Sequence, residues 1–99
     1  MTFIVEWTDE AREDIDHILE YYWQQGGNEL VLSAHQKIIS QVESLRNFPE
    51  RCREGRIPGT REYVISRLPF IAVIRIESGT VFVIHLIHTA KQYPPSDTI

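Results

Sequence analysis

Two apolar runs, FIAVIRI (Phe70–Ile76) and VFVIHLI (Val81–Ile87), stand only four residues apart. Each is rich in β-branched and aromatic residues, and each is apolar at odd and even positions alike. A strand with that pattern is a central strand, covered on both faces or covered once and paired with a partner. Ser78-Gly79 between them predicts a tight hairpin turn. A chain of 99 residues has room for one such core, so a single domain over 1–99 is expected.

The first half has a different period. Phe3, Val5 and Trp7 alternate with Ile4 and Glu6, a short strand. Thr8 then offers a helix N-cap, with Asp9 and Glu10 in the first turn. Ala11, Ile15, Ile18, Leu19 and Tyr22 share one helical face. Gly26-Gly27 predicts the end of that helix, and Asn28 caps a second with the stripe Val31, Ala34, Ile38, Val42 and Leu45, stopped by Pro49. Two antiparallel helices joined by a three- or four-residue turn follow. Residues 50–60 read as a loop with at most a short edge strand, and Arg61 to Ser66 as a strand. The expected fold is α+β, β-α-α-β-β-β, with a helical hairpin on a mainly antiparallel sheet of about four strands. Ile38, Val42, Ile74 and Ile84 should lie between the two layers.

Charge divides the chain. Residues 8–47 hold eight acids against Arg12, Lys37 and Arg46, whereas residues 51–75 hold Arg51, Arg53, Arg56, Arg61, Arg67 and Arg75 against Glu54 and Glu62. The net charge of -4 is unfavourable for gripping a phosphate backbone. The arginine-rich stretch instead offers a basic surface to an acidic partner. Cys52 is alone, which excludes an intramolecular disulfide and a paired-cysteine zinc motif. The start MTFIVEWTDE has no signal-peptide pattern, and no apolar run has membrane-spanning length. A cytoplasmic protein with no membrane partner is expected.

His85 and His88 differ by three in a strand and point to opposite faces, so they are no metal pair, and His17 and His35 complete no ligand spacing. No metal and no cofactor is expected. His85 reads as a core or cross-strand histidine satisfied by a neighbour. His88, at the strand end, is the better candidate for exposure, with Lys91 and Tyr93 near enough to share its surface. A metal-free RNA-cleaving site needs proton transfer and cations beside the phosphate. His88 or Tyr93 is a candidate for the first, and Arg67 or Lys91 for the second. The same residues read equally as a packed chain end and a solvated arginine surface, which residue types alone favour. Trp23, beside the core-facing Tyr22, is a candidate for cover by a partner.

FIVEWTDEAREDIDHILEYY resembles the first strand and helix of the RelE/ParE toxin superfamily, with its Ala-x-x-Asp-Ile/Leu helix. REYVISRLPFIAVIRIESGTVFVIHLIHTAKQYP resembles that family's C-terminal sheet through Arg67, Pro69-Phe70, Arg75-Ile76, His88 and Tyr93-Pro94. The resemblance implies the growth-inhibiting toxin of a type II toxin–antitoxin pair, bound by the antitoxin encoded beside it, with an oligomeric complex compatible. Arg51, Arg53, Arg56, Arg61, Arg67 and Trp23 would meet the antitoxin, and His88, Lys91 and Tyr93 the target. RelE-like members cut mRNA on the ribosome; ParE-like members poison DNA gyrase. Ile71 stands where RelE-type nucleases carry arginine, and Thr89 follows His88 where they carry a basic residue. These departures favour the ParE-like reading, with the endoribonuclease as the alternative and a non-toxic antitoxin-binding module as a third.

Overall fold

In a computed structural model, which describes residues 2–95, β1 (Ile4–Trp7) leads straight into one long helix, α1 (Asp9–Glu43). Thr8 makes the junction. Its hydroxyl accepts the Ala11 N–H at 3.2 Å, capping the helix, and donates to the Val83 carbonyl at 3.0 Å. Two short 3-10 turns, Ser44–Arg46 and Pro49–Arg51, carry the chain to β2 (Arg53–Glu54), β3 (Arg61–Val64), β4 (Phe70–Glu77) and β5 (Thr80–His88). Met1 and residues 96–99 of the single domain expected over 1–99 lie outside the described residues.

The predicted turn between two helices is not a separate segment. The reversal is concentrated at Gly27, whose φ 69 and ψ -155 lie outside helical space while its neighbours stay helical. A straight helix of 35 residues would be about 52 Å long, yet the longest dimension of the molecule is 42 Å. The bend lets Ala11, Ile15 and Ile18 from one arm share a core with Ile38 and Val42 from the other. That backbone region is open essentially to glycine alone, and no atom lies within 4 Å of a Cβ added there. Gly27→Ala is therefore expected to cost on the order of 1–3 kcal/mol from backbone strain, without a clash. An unchanged denaturation midpoint would place the bend elsewhere.

The fold is α+β, with two sheet details differing from expectation. Among the described residues there are five strands rather than about four, in the order β1-β5-β4-β3-β2. The two-residue β2 is added at one edge, and β1 pairs parallel to β5 at the other. The remaining pairs are antiparallel, and Ser78 (φ 48) and Gly79 (φ 79) close the β4–β5 hairpin with the two positive φ angles of a type I′ turn.

A β-bulge decides which residues of β5 face the helix. Val73 pairs with His85 but Ile74 pairs with Val83, leaving Ile84 without a partner. Val81 and Val83 point into the core before the bulge, and Leu86 does so after it. Ile38, Val42 and Ile74 are fully buried there as expected, but Ile84 is only half-buried and outside that cluster. Ile84 directly follows the core-facing Val83, at the bulge, and so lies off the face that the helix covers. On the other face of the sheet, Ile71, Val73 and Ile87 form a smaller cluster, with Tyr93 packed against it.

Candidate functional site

The arginine-rich stretch is organised around an acid. Glu62 in β3 is 2% exposed, on the same face as its register partner Val73. Its carboxylate accepts from Arg53 Nη2 at 3.0 Å, Arg56 Nη2 and Nε at 3.1 Å, and the Arg56 backbone N–H at 2.9 Å. Hydrogen bonding from the Arg56 side chain, with smaller contributions from its backbone and from Arg53, lowers the Glu62 pKa to about 2 against the opposing effect of burial. Arg61 is also occupied, donating to the Glu50 and Cys52 carbonyls at 2.9 Å each. Arg51 lies 4.5 Å from the Phe48 ring centroid. Arg67 is exposed in the β3–β4 loop with left-handed backbone (φ 71). Part of the basic surplus read from the sequence thus serves internal structure. Trp23 is 54% exposed, away from this cluster in the chain, on the first arm of α1.

The C-terminal candidates do not converge. His88 is exposed at the end of β5, its Nδ1 accepting the Ala90 N–H at 3.0 Å and its ring edge-on to Phe70 at 5.4 Å. It lines an apolar groove of about 470 Å³ with His17, Ile18, Tyr21, Tyr22, Pro69 and Phe70. Tyr93 packs instead against the opposite face of the sheet, on Ile71, Val73 and Ile87. With Lys91 it borders a cleft of about 160 Å³ that contains Asp14 and His85. His88 therefore belongs to a different face and groove from Tyr93. Arg67 lines neither space. Burial, then the Glu62 carboxylate, raises the Tyr93 phenol above the usual tyrosine value. At neutral pH it is protonated and is no base.

His85 finds its neighbour far away in sequence. Its Nδ1 lies 3.1 Å from Asp14 Oδ2, across 71 residues, and the same oxygen accepts the Leu86 N–H at 3.0 Å. Asp14 thereby holds the bulged strand to the first arm of α1. His85 is half-buried rather than a core residue. Asp14 was within reach of sequence reasoning as the acid of the Ala-x-x-Asp-Ile segment, but its partner was not. Glu62 does not stand out from Glu54 in the sequence, because two acids among six arginines read as a minor correction to a basic patch. Its signal was an acid on the strand face that meets the apolar Val73.

No group of three or more His, Cys, Asp or Glu residues among the described residues is placed to hold a metal. No helix among them is long and apolar enough to cross a membrane.

Comparison with known proteins bears on the whole arrangement. Residues 5–93 match the family described as the ParE toxin of the type II toxin–antitoxin system parDE. The chain is 30% identical over 90 residues to Y4kP, a candidate toxin of Sinorhizobium fredii, covering 91% of this chain and 92% of that protein. It also superposes on a chain from the chromosomal ParDE toxin–antitoxin system of P. aeruginosa with a TM-score of 0.82 and 28% identity, covering 88% of this chain and 96% of that one. The bent helix and the β3–β4–β5 sheet lie inside the matched span, and β1 does so from Val5 onward. This chain belongs to the ParE toxin family of type II toxin–antitoxin systems.

Proposed function

We propose that this chain inhibits growth by poisoning DNA gyrase and that a cognate antitoxin neutralises it. The observation that carries the reading is the separation of His88 from Tyr93. A phosphate-cleaving site needs its proton-transfer groups and cations around one reacting phosphate. Here the imidazole lines one groove, the phenol packs on the other face, and Arg67 is in neither. A poison that acts by contact needs no such convergence. Membership of the ParE family supports the same choice over a ribosome-dependent endoribonuclease. Cytoplasmic action on gyrase fits a chain in which no described helix could cross a membrane.

The segment bearing Lys91 and Tyr93, together with His88, is the proposed target contact. The antitoxin is proposed to place acidic side chains against Arg51, Arg53, Arg56, Arg61 and Arg67, and to cover Trp23. Exposed Arg51, Arg53, Arg56 and Arg67 are accessible for this, with Arg61 half-buried beneath them.

Purified protein added to gyrase and supercoiled plasmid should accumulate DNA broken with gyrase attached, and purified antitoxin should abolish it. Tyr93→Phe, which keeps the ring, should trap gyrase within about tenfold of the parent, because a hydrogen bond to a partner contributes far less than a catalytic proton transfer. Codon-specific mRNA cuts that vanish in His88→Ala would establish the endoribonuclease instead. Normal growth on induction of soluble protein, with no effect on gyrase or mRNA, would leave an antitoxin-binding module.

A further inference from the structure

Arg53 and Arg56 both neutralise Glu62, but they differ in what else they touch. Arg53 ends at the carboxylate. Arg56 continues past it, donating from Nη1 to the Tyr93 carbonyl at 3.4 Å, with its guanidinium 5.5 Å from the Tyr93 ring centroid. The carboxylate takes Nε, Nη2 and the backbone N–H of Arg56, which fixes the guanidinium plane and leaves Nη1 and one face for the C-terminal segment. Tyr93 is pressed by this contact onto Ile71, Val73 and Ile87.

We infer that Glu62 and Arg56 are positioning residues that latch the segment around Tyr93 onto the outer face of the sheet. The buried carboxylate acts through Arg56, which it holds against the Tyr93 carbonyl and ring. A lysine at position 56 would satisfy the charge of Glu62 but would offer neither the planar face nor the third donor direction. The consequence for activity rests on the proposal that the Lys91–Tyr93 segment contacts gyrase: a loosened segment would meet its target less often in the competent geometry.

The exposed Lys91 provides a direct reading, because trypsin cuts after it only when the segment leaves the sheet. Full-length protein would be digested briefly under native conditions, with the fragment ending at Lys91 quantified by mass spectrometry. Thermal melts of each variant separate local release from global unfolding. Arg56→Ala and Arg56→Lys are expected to cut about fivefold or more faster than the parent, the scale of one lost hydrogen bond and one cation–aromatic contact. Arg53→Ala, which removes a Glu62 partner but nothing from Tyr93, should cut at the parental rate. Glu62→Gln should resemble Arg56→Ala. Equal acceleration in Arg53→Ala, or parental cutting in both Arg56 variants, would overturn the latch, and this pair decides the matter even if Glu62→Gln does not fold. Gyrase trapping by the same proteins is a separate arm. Faster cutting with unchanged trapping would leave the latch standing and remove the segment from the proposed gyrase contact.

Discussion

Replacing both Arg53 and Arg56 with alanine is expected to destabilise the protein by about 3–5 kcal/mol, because it leaves the Glu62 carboxylate buried without a counter-charge. Glu62→Gln alone should cost less, about 1–3 kcal/mol, since both half-exposed arginines can return to water. Adding Glu62→Met to the double variant should recover most of the loss. The pH response separates these cases. In the parent, the Glu62 pKa falls from an ordinary 4.5 to about 2 on folding, so the carboxylate stabilises the fold fully above pH 4.5. That contribution is lost as the pH falls from 4.5 towards 2. In the double variant the backbone N–H of residue 56 still donates to the carboxylate, but burial is the larger influence and favours the neutral acid. Its stability should therefore rise as the pH drops from 7 towards 5, while the parent shows no change from this group. Urea denaturation across that range measures both slopes. A double variant within about 1 kcal/mol of the parent, with the same pH profile, would mean that Glu62 is hydrated in solution.

Ile38→Ala is expected to cost about 2–5 kcal/mol. Ile38 is fully buried where the second arm of α1 meets the first arm and the sheet, so the cavity has packed side chains on every side. Ile84→Ala should cost about 1 kcal/mol, because the bulge leaves that side chain half in water. The contrast is informative because Ile84 directly follows the core-facing Val83 and so lies off the helix-covered face. Comparable losses at the two sites would mean that Ile84 faces the core in solution. A loss below about 1 kcal/mol at Ile38 would mean that α1 presents a different face. Denaturant midpoints with unchanged slopes are the appropriate measurement.

Sequence alone determined the features whose causes are local. Ser78-Gly79 is a turn because both positions need positive φ, and the flanking apolar runs pair because no other arrangement buries both of their faces. Thr8 caps α1 with a hydroxyl that accepts the N–H three residues on, at Ala11, a spacing visible in the chain. The stripes on α1 carry the period of a helix, and Gly27 is the one residue type that permits its backbone there. The candidate positions around residues 51–67 and 88–93 were legible as types of residue, through their charge and their place after the last strand.

Tertiary structure decided where those types point and what they meet. The bulge at Ile84 is stabilised from outside the strand: Thr8 binds the Val83 carbonyl and Asp14 binds the Leu86 N–H and His85. No periodicity within β5 records that, so one inserted residue redirected His85, Leu86 and His88 together. The parallel pairing of β1 with β5 likewise depends on where the bent helix returns the chain. Glu62 became a buried organiser, rather than a surface acid, because β2 and the following loop bring two guanidiniums onto its carboxylate and remove water from it. The separation of His88 from Tyr93 has the same origin. Five residues of sequence distance bring two side chains close only if the chain stays on one side of the sheet, and here Arg56 and the cluster of Ile71, Val73 and Ile87 draw Tyr93 to the other.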